Sequence, residues 1–150
     1  MTESTCTVSK PLDESTWRSH ELSGLLGVLG PLLTRRDGDQ WAYAIRVRDE
    51  HLNPAHVVHG GTITALMDHA LSTIAWDRAG KKPCVTVQLN VNFLGASRSG
   101  QLLVARGKVS HEAGSLIFLD GTLHADDSLV STAQAIMKRL EKPHCPSGAG

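Results

Sequence analysis

The chain holds 150 residues, 41% of them hydrophobic and 20% charged, which suits one globular domain with a substantial core. Fifteen Lys and Arg balance fifteen Asp and Glu, so no net field attracts nucleic acid or an anionic membrane surface. No apolar run nears the roughly 20 residues of a membrane span, and the opening MTESTCTVSK lacks the basic start and apolar stretch of a secretory signal.

The three cysteines, Cys6, Cys84 and Cys145, form no C-x-x-C pair. They argue against a disulfide framework and fit a cytoplasmic location. Residues 1–11 and 141–150 are polar tails, expected to be flexible. Residues 12–140 then make one domain.

In chain order, a first helix is expected from about Asp13, as N-cap, to Leu25. VLGPLLTRR reads as a strand interrupted at Pro31, hence an edge or bulged one. RRDGDQ carries the Asp-Gly hairpin signal, and WAYAIRVR is the returning strand. DEHLNPAHVVHGG is a loop, broken by Asn-Pro and closed by a Gly pair. From Thr62 to about Arg78, Ile63, Leu66, Met67, Ala70, Leu71 and Ile74 recur at helical spacing, with Gly80 as the stop and Pro83 beyond. CVTVQLNVNFL alternates, setting Val85, Val87, Leu89, Val91 and Phe93 on one face and Thr86, Gln88, Asn90 and Asn92 on the other. QLLVARGKVSH, SLIFLDGTLHA and SLVSTAQAIMKRL are three further strands. One apolar helix among this much sheet predicts an α+β domain, its antiparallel sheet curled around that helix.

The junction of loop and helix concentrates the chemistry. Gly60 and Gly61 open the helix, where first-turn N–H groups lack intrahelical acceptors and the helix dipole favours negative charge. Such a place suits an oxyanion, although a Gly pair also serves as a plain entry turn. Two turns on, Thr64, Asp68 and Ser72 follow one another at i, i+4 and i+8, a polar stripe beside the apolar one. A carboxylate backed by hydroxyls can act as base or nucleophile; the same stripe could equally face solvent. His51, His56 and His59 match no common zinc spacing, and no metal is expected. Nucleophile-elbow, dinucleotide and phosphate-loop glycine motifs are absent.

Taken together, Asn53, His59-Gly60-Gly61 and Asp68, followed by the strand VTVQLNVNFL, resemble the hotdog-fold acyl-CoA thioesterases. The resemblance is to the phenylacetate-degradation subgroup of the 4-hydroxybenzoyl-CoA thioesterase superfamily, and it covers about Leu12 to Leu140. It implies a hotdog fold: a curved sheet wrapped around the helix at about 62–78, with an additional N-terminal helix. It also implies homodimers with active sites at the interface, often as dimers of dimers. Asp68 is then the catalytic carboxylate, Gly60 the backbone donor to the thioester carbonyl, and Asn53 the residue that orients water or thioester. His59 supports the site, while Ser72 and Thr86 hold water near the carboxylate. Many relatives carry Arg-Pro after the signature strand; here FLGASRSG displaces Arg98. Lys138 and Arg139 are therefore alternative contacts for the coenzyme A phosphates. No cofactor is implied, since coenzyme A is part of substrate and product. The rival readings are a hotdog hydratase or dehydratase pairing His59 with Asp68, and an acyl-CoA-binding or regulatory module without turnover.

Overall fold

The computed structural model describes residues 14–141. The expected N-cap Asp13 and the polar tails 1–11 and 142–150 lie outside them. The first long helix is not formed. Instead a single 3-10 turn at Glu14–Thr16 leads to strand β1, Arg18–His20, and then a six-residue helix α1, Gly24–Leu29. Pairing of β1 with the next strand outweighs local helical pattern, and Gly24, at φ +65°, marks a break inside the expected helix. Val28 and Leu29, expected in a strand, end α1; strand β2, Leu32–Asp37, starts only after the cis Gly30–Pro31 bond. The Asp-Gly hairpin forms as expected and joins β2 to β3, Gln40–Arg46. β2 is not an edge strand, because β1 covers its free side.

The central helix α2 spans Gly60–Arg78, and Gly80 follows it at φ +66°, where a side chain would be strained. Four strands complete the chain: β4, Cys84–Phe93; β5, Leu102–Ala113; β6, Leu116–Ala125; and β7, Ser128–Arg139. All pair antiparallel in the order β1-β2-β3-β5-β6-β7-β4, a curved seven-stranded sheet with α2 against it. Ile63, Leu66, Met67, Ala70, Leu71 and Ala75 of α2 are buried against the inner sheet face. Full burial of each larger side chain contributes about 1.5–3 kcal/mol.

Two glycines let the helix lie close. Gly107 and Gly121 face each other across β5 and β6. A Cβ on Gly107 would stand 2.5 Å from Leu71 Cδ2, and one on Gly121 2.8 Å from Met67 Cε. The outer sheet face carries a second, smaller core of Ala42, Ala44, Leu102 and Val104, covered by Trp17 with Arg35 stacked 4.5 Å above the indole. Trp17 thus packs on the far side of the sheet from α2.

Strand β4 departs from the simple alternation in one place. Thr86 pairs with Met137 and Gln88 with Ile136, so Val87 is an extra residue, a bulge. Before the bulge Thr86 faces α2; after it Leu89 and Val91 do. Val85 and Val87 point outward, 44% and 57% exposed. The expected faces of Val85, Val87 and Thr86 are therefore exchanged. β4 is the last strand of the sheet, and its outer edge is unpaired among the described residues.

Candidate active site

The loop before α2 is fixed by its own polar groups. His51 is 2% exposed; its Nδ1 accepts the Arg48 N–H at 3.0 Å. Its carbonyl accepts the His59 N–H at 2.8 Å and the Thr62 hydroxyl at 3.2 Å. Burial pushes the His51 pKa down, and the Arg48 charge adds to this. Asn53 Oδ1 accepts the N–H groups of Ala55 (2.9 Å) and Val57 (3.3 Å), so its oxygen is engaged in shaping the turn. Any contact from Asn53 to a substrate or water therefore falls to its amide NH₂.

At the helix start the first-turn donors are nearly all taken. His59 is the N-cap: its Nδ1 accepts the Gly61 N–H at 2.8 Å, which sets the neutral ring with its proton on Nε2. Its carbonyl accepts from Thr62 (2.9 Å) and Ile63 (3.3 Å). The Gly60 N–H has no acceptor among the described residues. The Phe93 ring lies against it: a Cβ on Gly60 would be 3.2 Å from Phe93 Cζ. A groove of about 490 Å³ leads away from this point past Val57, Val58, Ile63, Phe93 and Leu94.

Asp68 is half-buried and accepts the Thr86 hydroxyl at 2.8 Å. Ser72 Oγ is 3.5 Å from Thr86 Oγ1 and donates to Met137 Sδ at 3.8 Å. Asp68, Thr86 and Ser72 thus form one cluster on the inner side of β4. Thr64 is not part of it, because its hydroxyl turns back to the Gly60 carbonyl at 2.8 Å. His69 faces β3, its ring edge-on to Tyr43 at 6.0 Å. Burial lowers the His69 pKa, opposed by the Asp68 charge, and pushes Tyr43 to about 12, with Asp77 adding to the rise. His69 is therefore a neutral packing residue beside the site.

Sequence-expected cations separate into two groups. Arg98 lies in the loop after β4, its backbone N–H bonded to Gln101 Oε1 at 2.7 Å, near the start of α2. Lys138 and Arg139 end β7, opposite Val85 and Cys84 at the other end of β4. Lys138 shares the outer face with Val85, and Arg139 donates to the Gly114 carbonyl at 3.2 Å. Among the described residues no group of three or more His, Cys, Asp or Glu is arranged to hold a metal. No helix among them is long and apolar enough to cross a membrane.

One distance governs what the site can do. Gly60 and Asp68 are eight residues apart on one helix, about 12 Å along its axis at 1.5 Å per residue. A single carbonyl cannot touch both groups of the same chain. Both, however, border the open β4 edge, Gly60 through Phe93 and Asp68 through Thr86.

The chain belongs to the thioesterase superfamily, whose sequence model matches residues 55–132. It is 33% identical over 116 residues to a Pseudomonas aeruginosa protein named "Putative esterase PA0474", across 76% of this chain and 87% of that one. Among solved structures it resembles the E. coli PaaI protein from the phenylacetic acid degradation operon (TM-score 0.61, 19% identity, 67% of this chain and 72% of that chain). It also resembles a Streptococcus pneumoniae protein described as a hypothetical thioesterase and solved with coenzyme A (TM-score 0.63, 23% identity, 69% and 82%). Those two likenesses bear on the fold, which is the hotdog fold expected above. The chain is a hydrolase of this superfamily.

Three features of the site were not foreseen from sequence: the Val87 bulge, the buried His51 brace and the Phe93 ring on Gly60. The first had no signal, since apolar and polar residues alternate straight through it. The other two depend on contacts far apart in the chain.

Proposed function

We propose that the protein hydrolyses the thioester of a small aryl or short- to medium-chain acyl-CoA, releasing the free acid and coenzyme A. One observation carries this reading: the Gly60 N–H is left without an acceptor, while Asp68 is held by Thr86 on the same open edge. The N–H would bind the carbonyl oxygen as charge develops on it, and Asp68 would activate water or attack the carbon. The thiol leaves as thiolate with a pKa of about 8.5, so a strong general acid is unnecessary. Ser72 and Thr86 would hold Asp68 and its water, Asn53 would contribute its NH₂, and His59 would fix the glycine turn.

The 12 Å or so between Gly60 and Asp68, at 1.5 Å rise per residue, supports a homodimer joined along β4, each site taking Gly60 from one subunit and Asp68 from the other. A dimer of dimers and a cytoplasmic location belong to the same reading, by resemblance and by the cysteine pattern. The acyl class rests on the resemblance to the phenylacetate-degradation subgroup and on the half-buried apolar residues Leu89 and Val91 beside the cluster. No cofactor is needed.

Thiol release from a panel including benzoyl-, phenylacetyl- and hexanoyl-CoA tests this. Asp68→Asn is expected to lower kcat about 10²–10⁴-fold with little change in substrate binding. Gly60→Pro removes the donor at a helix position where proline is tolerated, and His59 already has the extended ψ of 136° that a following proline requires; Gly60→Ala, which sets the same Cβ 3.2 Å from Phe93 Cζ but keeps the N–H, is its control. Gly60→Pro should lower kcat similarly. Hydration of crotonyl-CoA without thiol release would favour the hydratase reading, and binding without turnover the regulatory one.

A further inference from the structure

We propose that Met137 is a positioning residue of the candidate site. By accepting the Ser72 proton, its sulfur leaves two hydroxyl oxygens, Ser72 Oγ and Thr86 Oγ1, as acceptors for the hydrolytic water. This rests on the hydrolytic reading proposed above and adds to it a group on β7, outside the sequence motif.

Thr64 and Thr73 show what a hydroxyl on α2 ordinarily does. They donate to the Gly60 and His69 carbonyls, each at 2.8 Å and each four residues back. Ser72 makes no such bond among the described residues. Its hydroxyl leaves the helix and reaches Met137 Sδ at 3.8 Å. The other oxygen nearby, Thr86 Oγ1, is 3.5 Å away, longer than the roughly 2.5–3.0 Å of an O–H···O bond. Met137 is fully buried on the inner face of β7, between Thr86 of β4 and Ile117 of β6. The bulge sets this contact. A ladder continued unbroken from Gln88 and Ile136 would put Val87, not Thr86, opposite Met137.

A thioether has lone pairs and no proton, so Ser72 is the donor in this contact. Thr86 spends its own proton on Asp68 Oδ1 at 2.8 Å. Both hydroxyl protons are thereby engaged, and what the two oxygens still offer is lone pairs. Leucine or isoleucine at position 137 would fill similar space and give Ser72 no acceptor. Methionine is the large apolar side chain that does.

That order of protons suits a general-base route. Water attacking a carbonyl carbon must turn a lone pair toward it and its protons away. A hydroxyl donating to the water would occupy the lone pair that attacks, whereas an accepting one draws a proton aside. The water then finds the Asp68 carboxylate for one proton and a hydroxyl oxygen for the other. As the water oxygen bonds to carbon, the first proton passes to Asp68. Collapse of the adduct breaks the C–S bond, and Asp68 returns that proton to the departing thiolate.

Global replacement of methionine by norleucine tests this, because it exchanges sulfur for a methylene at Met1, Met67 and Met137 with little change of shape. Steady-state thiol release should show kcat lowered about three- to tenfold, as for one weak hydrogen bond, with KM nearly unchanged. Selenomethionine, which keeps an acceptor, should retain most of the rate. In a Ser72→Ala chain, whose own activity is the reference, norleucine should cause no further fall. Met67 changes alike in both backgrounds, so the comparison isolates the pair of Ser72 and Met137. A crystal structure of the norleucine protein should show the Ser72 hydroxyl turned back to the Asp68 carbonyl or moved onto Thr86. An unchanged kcat, an equal fall in the Ser72→Ala background, or a Ser72 hydroxyl that stays in place overturns the role of Met137. Absence of thiol release from every acyl-CoA by the methionine protein overturns the functional reading instead, while the Ser72 rotamer still reports on the contact.

Discussion

The hydroxyl of Thr86 is the residue on which the geometry of Asp68 depends most directly. Its 2.8 Å bond ties one carboxylate oxygen, Oδ1, to strand β4. Thr86→Val keeps the β-branched shape and deletes that bond together with the longer 3.5 Å contact to Ser72 Oγ. It is expected to lower kcat about ten- to a hundredfold, as for one lost hydrogen bond to a charged group. Thr86→Ser should retain most of the rate, since its hydroxyl can occupy the same place; equal loss in both variants, followed by thiol release, would count against this role. His59 acts differently. By taking the Gly61 N–H it leaves Gly60 as the remaining donor, a division of labour that the dipeptide Gly-Gly cannot reveal by itself. The residues of the motif were thus legible in sequence, whereas their partners were not. Asn53 looked like a ligand-orienting amide, yet its oxygen is committed to Ala55 and Val57.

At the level of elements, helix α2 and the strands β3 and β5–β7 follow from hydrophobic period, hairpin chemistry and Gly/Pro stops. The beginning of the chain does not. A three-residue strand and a six-residue helix carry too short a pattern to read, and β1 forms because β2 offers an edge to pair with. The β4 bulge is hidden for a related reason: it is a property of pairing with β7, not of the alternation in β4. Close approach of α2 to β5 and β6 rests on Gly107 and Gly121. Gly121→Val would drive methyl groups into Met67 and Leu71. A loss of about 1–3 kcal/mol is expected from such overpacking. Urea unfolding should show a lowered midpoint with an unchanged slope; an unchanged midpoint would mean that the helix can lift off the sheet without cost.

For the whole molecule, stability should depend on pH through two histidines. Burial lowers the pKa of both His51 and His69 in the folded chain below the ordinary value of 6.5. The unfolded chain therefore takes up protons first as pH falls. The stabilisation from keeping these rings neutral is complete above pH 6.5 and is lost below it, as pH drops through the folded values. Tm is expected to decline on acidification from pH 7.5 to 5, by differential scanning calorimetry, and His69→Phe should flatten that decline. A steeper dependence in the variant would reverse the sign proposed. Asp37, whose carboxyl is held low by the hydrogen bond and charge of Arg106, adds a further loss at more acidic pH.

The indole of Trp17 has a consequence for how copies can be stacked. Laid over Ala42 and Ala44, it roofs the convex side of β2, β3 and β5, whereas no helix or further strand among the described residues covers the convex side of β4, β6 and β7. Back-to-back stacking of sheets is hindered on the half that the indole covers. Trimming the chain through Trp17 would strip that roof and expose a greasy alanine floor, turning a well-behaved particle into a colloidally sticky one even with its chemistry intact.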